Sequence, residues 1–217
     1  MIGNAIYNVL LNRLTTKGYG MFLERVKPGA RILDIGVGNG LMLKRHHETI
    51  KRLGLKITGL DLDREYLKQC ERLITKFDLD DQIQVRYANY MTEDLELGAW
   101  DVIFFSQSFM LIHPQTDALD RAKALLAENG SIVFFQTMQS KPSRVLEIVK
   151  PQLKYLTSID FGSVTYDSDF AELLAEKELE QTERLRVSRI TKSSRSELLF
   201  TRPVRTAVSV RRGTVGV

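Results

Sequence analysis

The eight residues from Leu33 to Gly40, LDIGVGNG, constrain the fold of this chain more than any other stretch. An apolar run reaches Asp34 and is followed by glycines at alternate positions, and a helical pattern of apolar residues begins at Leu41. The glycines are Gly36, Gly38 and Gly40. This order predicts a strand, a tight turn and a helix, with the free N–H groups and positive end of the helix beside the turn. Because glycine permits positive φ and close backbone approach, we expect a ligand to lie against this loop.

The spacing of these glycines distinguishes two kinds of ligand loop. The dinucleotide fingerprint G-x-G-x-x-G requires a third glycine where this chain has Leu41. The observed pattern is D-x-G-x-G-x-G, in which the carboxylate of Asp34 suits a ligand that carries a cation better than a pyrophosphate. The alternative is a turn that only joins a strand to a helix. The pattern resembles the first motif of the class I S-adenosylmethionine-dependent methyltransferases, whose ligand carries an ammonium and a sulfonium.

This resemblance covers about residues 20–202 and implies a fold. The expected class is α/β, with a doubly wound, mostly parallel seven-stranded sheet that ends in an antiparallel C-terminal hairpin. We expect one methyltransferase domain over residues 1–202, with an N-terminal helical lid at about 1–27, and a basic, flexible tail over residues 203–217. The implied cofactor is S-adenosyl-L-methionine, and the implied reaction is direct methyl transfer without a metal.

Periodicity predicts where the individual elements lie. Strands are expected at 30–35, 56–60, 83–87, 100–105, 131–137, 179–188 and 196–202. Helices are expected at 4–26 with a break at Gly18 and Gly20, and at 40–53, 64–77, 115–127, 143–154 and 167–177. Asn129-Gly130 is expected to end the fourth of these helices, and Asp167 or Ser168 to cap the last. The stretch from Trp100 to Phe105 does not alternate, which is typical of a central parallel strand.

Two aspartates follow the strand that starts at Lys56. Asp61 lies about twenty residues after the glycine loop, where a βαβ nucleotide-binding unit places the acid that binds ribose. A carboxylate can accept two hydrogen bonds from a ribose diol. Helix capping is the alternative for either residue, and we assign capping to Asp63 and ribose binding to Asp61.

The resemblance also implies which positions contact the cofactor. They are Tyr19, Asp34, Gly36, Gly38, Gly40, Asp61, Leu62, Asn89, Tyr90 and Ser106. Asn89 stands where the family more often has aspartate, which meets the adenine amino group, and its side-chain carbonyl can still accept that bond. A turn residue that tolerates unusual φ is the alternative for Asn89.

Polar residues follow the apolar stretch that ends at Phe105, and we expect them to face the methyl acceptor. Ser106-Gln107-Ser108 replaces the Asn/Asp-Pro-Pro-aromatic motif of some amino and base methyltransferases, which argues against kinship with those enzymes. His113 is a candidate general base, or alternatively a structural residue before Pro114.

Further acceptor contacts are expected from the least patterned segments, the N-terminal helix and residues 139–166. Tyr7, Gln107 and Tyr166 are the candidates for substrate binding. Tyr7, Tyr19 and Phe22 are equally typical of core aromatics in an amphipathic helix, and Tyr166 of simple packing.

Composition limits the remaining possibilities. The 217 residues suit one domain, and no apolar run reaches the roughly 18 residues of a membrane-spanning helix. The N-terminus lacks the features of a signal peptide, and Cys70, the single cysteine, indicates a reducing compartment, which we expect to be the cytoplasm. We interpret Cys70 as a buried small hydrophobe. His46 and His47 lack acids at ligand spacing, so we expect no metal site.

Net charge is +4 and the excess of cations falls late in the chain, which permits an acidic partner without requiring one. Three functions stay open. The preferred hypothesis is a methyltransferase for a small molecule, either a metabolite or a lipid headgroup. The alternatives are an RNA or protein methyltransferase, and a non-catalytic cofactor-binding scaffold.

Overall fold

A computed structural model of the chain describes residues 2–141 and 164–204, with side chains from residue 12 onward. The helix expected at 143–154 and the tail beyond residue 204 lie outside the described residues.

Helices and strands alternate along most of the described chain. In order they are α1 (Ile2–Leu23), β1 (Arg31–Ile35), α2 (Leu41–Leu53), β2 (Lys56–Asp61), α3 (Arg64–Lys76), β3 (Ile83–Tyr87), β4 (Trp100–Ser106), a 3-10 turn (Phe109–Leu111), α4 (Gln115–Leu125), β5 (Leu126–Gln139), β6 (Thr165–Tyr166), α5 (Asp167–Glu176), β7 (Leu179–Arg189) and β8 (Ser194–Pro203).

The strands form one sheet in the order β3-β2-β1-β4-β5-β8-β7. The first five of these strands are parallel, while β8 is antiparallel to both β5 and β7. The prediction of a mostly parallel, seven-stranded sheet with a C-terminal hairpin is therefore confirmed. The two-residue strand β6 was not predicted. It pairs with Met138 and Gln139 of β5, beyond the point where β4 ends.

Helices cover both faces of the sheet, as in other doubly wound folds. On one face, α1, α2 and α3 pack against a core that includes Ile32, Phe104 and Phe135. On the other face, α4 and α5 pack against Phe105 and Phe134. Neighbouring residues of β4 point into different cores, which explains why its sequence is apolar without alternation.

Helix α1 is continuous, so the predicted break at Gly18 and Gly20 is wrong. A Cβ at Gly18 would lie 2.4 Å from Cζ of Phe135, so glycine lets the helix approach β5 closely. Phe22 is fully buried and stacks on Phe104 at 4.0 Å. Tyr19 is also a core residue, so the lid interpretation is wrong for both aromatic side chains.

We expect Gly18→Ala to lower the free energy of unfolding by about 1–2 kcal/mol, because overpacking against the Phe135 ring outweighs the higher helix propensity of alanine. The matched control is Gly20→Ala, whose Cβ would lie 3.3 Å from Cε1 of His46. That variant should keep or slightly raise the stability. Urea unfolding of both variants measures the difference, and equal effects would contradict the packing argument.

Several element boundaries differ from the sequence prediction. Helix α4 ends at Leu125, and Asn129-Gly130 lies inside β5, where pairing with β4 shifts from Leu126 to Ser131. Asn129 has the positive φ of 69° that was expected at a helix end. Strand β8 includes Pro203, which was predicted to begin the tail.

The predicted cap of α5 is also wrong, because no side chain caps its first turn. The carboxylate of Asp167 instead accepts hydrogen bonds from Arg184 and Arg195, and Ser168 donates to Asp169.

Candidate functional site

A cleft of about 640 Å³ opens at the carboxyl ends of β1, β2 and β4. Parallel α/β sheets bind ligands at this end, and the volume lies within the usual range for small-molecule sites. The lining residues include Gly36, Gly38, Asp61, Leu62, Asn89, Tyr90, Ser106, Gln107 and His113, all predicted site residues. The fold thus brings most of the predicted residues to one place.

The glycine loop has positive φ at each of its three glycines, 78° at Gly36, 62° at Gly38 and 75° at Gly40. A Cβ at Gly36 would lie 2.6 Å from Cβ of Ser108, and one at Gly40 would lie 3.1 Å from the Cys70 sulfur. A Cβ at Gly38 would meet no atom within 4 Å. Gly36 and Gly40 therefore allow close packing of the loop, whereas Gly38 leaves space beside its backbone for a ligand.

Asp61 joins the end of β2 to this loop. Its Oδ2 accepts a hydrogen bond of 2.8 Å from the Gly38 N–H, and its Oδ1 accepts one of 2.9 Å from the Asp63 N–H. A carboxylate offers about four lone-pair sites, so each oxygen can accept another bond from a ligand hydroxyl. Asp63 caps α3 by accepting from the N–H groups of Glu65 and Tyr66, which confirms its predicted role.

Asp34 lies beneath the loop rather than in the cleft. The residue is 1% exposed, its Oδ1 has no hydrogen-bond partner, and it does not line the cleft. Burial, and secondly the nearby charge of Asp61, raises the pKa of Asp34 from 3.8 to about 7. The acid of the first motif is therefore a buried group that is easily protonated.

Tyr19 contacts the cleft only through another side chain. It is not among the lining residues, and its Oη accepts a hydrogen bond of 3.0 Å from Oγ of Ser106, which does line the cleft. Burial raises the pKa of Tyr19 well above its ordinary value. Tyr19 is thus placed to fix the Ser106 hydroxyl rather than to touch a ligand.

The β3–β4 connection supplies one wall of the cleft. Oδ1 of Asn89 accepts a hydrogen bond from the Met91 N–H at 2.9 Å, so the residue does stabilise a turn, as its alternative interpretation held. Tyr90 is buried and donates its hydroxyl to the Ala118 carbonyl, which leaves its ring to contact the cleft. Across the mouth, Leu62 is 61% exposed.

The acceptor end of the cleft is only partly described. The Gln107 N–H donates to the Phe135 carbonyl at 2.7 Å, with φ of 58° at Gln107, and His113 is exposed at the rim. Tyr166 lies in β6 beside Gln139 and does not line the described cleft. The side chain of Tyr7 lies outside the described residues.

Two further lining residues have roles that sequence reasoning did not assign. Tyr66, in α3, is 36% exposed and lines the cleft. Ser108, which was expected to face the methyl acceptor, donates its hydroxyl to the Ile35 carbonyl and packs against Gly36, so it holds the glycine turn against β4.

A second groove of about 410 Å³ lies at the opposite, amino ends of the strands. Two of the cations that line it already have partners within the protein, Arg31 with Glu96 and Lys56 with the Asp81 carbonyl. The cleft beside Gly38, with free acceptor sites on Asp61, is the better candidate for a ligand site.

Cys70 is buried, and its thiol donates to the Gly38 carbonyl. Burial, and secondly the charge of Asp34, raises the pKa of Cys70 to about 12, which agrees with the predicted structural role. Among the residues that the structure describes, no group of three or more histidine, cysteine or acidic side chains could hold a metal ion. In that part of the chain, no helix has the length and apolar character needed to span a membrane.

Comparison with known proteins agrees with this geometry. The family described as "Methyltransferase domain" matches residues 32–130, which contain the glycine loop, Asp61 and the first four strands of the sheet. Residues 32–130 of this chain are therefore similar to methyltransferase domains.

A similar curated protein is the ubiquinone biosynthesis O-methyltransferase of Xanthomonas campestris pv. campestris, 34% identical over 120 residues. These residues make up 54% of this chain and 46% of that protein, so the match spans about half the length of the curated relative.

Two solved structures show the same fold at low sequence identity. A geranyl diphosphate methyltransferase in complex with SAM has a TM-score of 0.74 at 16% identity, with 93% of this chain and 90% of that chain covered. The cyclase SpnF has a TM-score of 0.67 at 14% identity, with 89% and 82% covered. Since one of these is named as a cyclase, this fold does not by itself define the reaction.

Proposed function

We propose that the protein transfers a methyl group from S-adenosylmethionine to a small-molecule acceptor. The observation that carries this proposal is the hydrogen bond between Asp61 and the Gly38 N–H at the edge of an open cleft. This bond holds two ligand-binding groups side by side. One is a carboxylate that can bind a ribose diol, and the other is a glycine backbone that a ligand can approach closely. The family match and the methyltransferases among the relatives support it.

The lining residues fit the groups of this cofactor. Asp61 would accept hydrogen bonds from the ribose hydroxyls, and the apolar surfaces of Leu62 and Tyr90 would cover the adenine. Asn89 would bond to the adenine edge, although its carbonyl already accepts from the Met91 N–H. Gly36 and Gly38 would admit the remainder of the molecule beside the loop.

Asp34 lies beneath the loop, where the cations of a bound cofactor would favour its ionised form. Ser106, which donates to Tyr19, stays a candidate contact at the acceptor end, and Gly40 supports the loop by packing on Cys70.

The bound cofactor supplies a methyl group that its sulfonium already activates. The protein then has to align the acceptor and exclude water, which can lower a barrier by roughly 7–11 kcal/mol. Gln107 and His113 line the cleft at the acceptor end, and Tyr7 and Tyr166 remain proposed contacts from segments nearby. His113 would remove a proton from an acceptor that arrives protonated.

We expect His113→Ala to lower kcat by about 10²- to 10⁴-fold, with little change in cofactor affinity, because only the proton transfer is lost. Added imidazole should restore part of the rate. The control is His47→Ala, since His47 stacks on Phe77 away from the cleft. A loss of rate that imidazole does not restore would assign His113 a structural role.

The test of the proposed reaction is incubation with S-adenosylmethionine carrying a radiolabelled methyl group and a panel of phenols, carboxylates, amines and thiols. We expect label in one acceptor class and equimolar S-adenosylhomocysteine. Cofactor binding without transfer to any acceptor would favour the non-catalytic scaffold, and transfer to RNA or protein would favour the other alternative.

With a single buried cysteine and no membrane-spanning helix in the described residues, we place the protein in the cytoplasm.

A further inference from the structure

The two helical layers of this protein carry opposite charge. The outer layer formed by α2 and α3 has eight cationic side chains and three acidic ones. The cations are Lys44, Arg45, Lys51, Arg52, Arg64, Lys68, Arg72 and Lys76, and the acids are Glu48, Glu65 and Glu71. On the other side of the sheet, α4 and α5 have six acidic side chains and two cationic ones. Among these four helices, the excess of cations therefore lies on the α2–α3 side of the sheet.

Four of these cations form a stripe along α3. Arg64, Lys68, Arg72 and Lys76 recur at intervals of four residues, so they lie one above another on one side of the helix. The buried residues Leu67, Cys70 and Ile74 occupy the opposite side. The stripe is about 18 Å long, from the rise of 1.5 Å per residue, and starts beside the mouth of the cleft.

Many cations of this layer have no acidic partner. Within the described residues, the exposed side chains of Lys44, Arg45, Arg52 and Arg72 make no hydrogen bond or ion pair. Lys51 is 3.6 Å from an Asp78 carboxylate that is almost fully exposed. Unpaired cations on one surface repel one another. Binding of a polyanion would relieve this repulsion, and it would release the counterions that surround the polyanion.

The form of the surface favours a nucleic acid over a lipid bilayer. Helices that bind membranes bury several large apolar side chains in the acyl boundary. Of the exposed large apolar residues in the described chain, only Tyr66 lies on α2 or α3, and it lines the cleft. Tyr87 is 50% exposed beside the start of the stripe, with the Arg64 guanidinium 3.7 Å from its ring centre. Aromatic and arginine planes next to a basic track are typical of surfaces that bind single-stranded nucleic acids.

We propose that the outward surface of α2 and α3 binds the phosphate backbone of RNA. The docked strand runs along the α3 stripe and reaches the cleft at the Tyr87 end. This binding is independent of methyl transfer, and it adds a macromolecular partner to a protein whose proposed acceptor is a small molecule.

The test is fluorescence anisotropy with a labelled single-stranded RNA of about 20 nucleotides, titrated between about 50 and 200 mM salt. Five phosphate contacts predict a slope of about −3.5 in log K against log salt, and a loss of affinity of about 100-fold over this range. The triple variant Lys68→Glu, Arg72→Glu, Lys76→Glu removes three of the four stripe cations, so it should leave about two contacts and a loss of only about 7-fold. None of these residues lines the cleft.

The matched control is Lys27→Glu, Arg186→Glu, Lys192→Glu, which makes the same change in net charge on other exposed surfaces. It should keep the wild-type slope. Equal losses in both triple variants, or no RNA binding at low salt, would overturn the proposal, as would binding to phosphatidylglycerol vesicles without binding to RNA. Titration with S-adenosylhomocysteine should give the same affinity in both variants. Loss of RNA binding can therefore be distinguished from a failure of the proposed cofactor binding and methyl transfer.

Discussion

Replacing Asp34 with asparagine is expected to abolish a loss of stability that the wild-type protein undergoes as pH rises from about 4 to about 7. The native state holds the Asp34 proton up to a pKa of about 7, whereas the ordinary carboxyl pKa is 3.8. Between these values the unfolded chain binds fewer protons than the native state, so the free energy of unfolding falls with pH. The fall ends above about pH 7, where both states are ionised.

The size of this effect is at most about 4 kcal/mol, from roughly three pK units at 1.36 kcal/mol each. Urea unfolding at several pH values between about 4 and 8 measures it as the difference between wild type and Asp34→Asn. Asp80→Asn, at an exposed position, is the control for the loss of a carboxylate. Parallel pH profiles for wild type and Asp34→Asn would show that Asp34 is not buried as described.

Asp61→Ala is expected to weaken S-adenosylhomocysteine binding about ten- to a hundredfold. Hydrogen bonds to a charged group contribute roughly 1.5–3 kcal/mol, and about 1.4 kcal/mol corresponds to a factor of ten in Kd. The same change removes the bond that Asp61 accepts from the Gly38 N–H, so the loop loses its tie to β2. Isothermal titration calorimetry measures both the affinity and the enthalpy.

Glu65→Ala is the matched control for Asp61→Ala, because it removes one acidic charge from the same region without changing a residue that lines the cleft. It should leave the Kd within about twofold, since a surface ion pair contributes less than about 1 kcal/mol. A similar loss of affinity in both variants would mean that general charge, rather than the Asp61 hydrogen bonds, attracts the ligand.

The parts of this fold that sequence could predict are those in which neighbouring residues act together. The glycine turn, the capping of α3 by Asp63 and the position of Asp61 all depend on contacts within a few residues or within one βαβ unit. Their chemistry is encoded locally, so the spacing of D-x-G-x-G-x-G and of Asp61 was sufficient.

The predictions that were wrong concern distant packing. Gly18 resembles a helix break until the Phe135 ring is placed against it from β5. Asn129-Gly130 has the backbone of a helix end, but pairing with β4 puts it within a strand. Tyr66 was not among the predicted site residues, because its place at the cleft depends on how α3 meets β2. Tertiary contacts override local preference in each case.

The acceptor end of the site resisted prediction for a different reason. Its proposed contacts come from separate segments, the N-terminal helix with Tyr7, the residues after β4 and β6 with Tyr166. No fixed spacing relates such segments, and their side chains depend on the acceptor rather than on the fold. Sequence therefore predicts the cofactor more sharply than the substrate.

The most direct test of the central claim is calorimetric titration of the wild-type protein with S-adenosylhomocysteine, with NAD as the matched nucleotide. We predict saturable one-to-one binding of S-adenosylhomocysteine and no binding of NAD, because the glycine spacing D-x-G-x-G-x-G differs from the G-x-G-x-x-G fingerprint of dinucleotide-binding loops. Binding of NAD instead, or of neither ligand, would contradict the assignment of this cleft to S-adenosylmethionine.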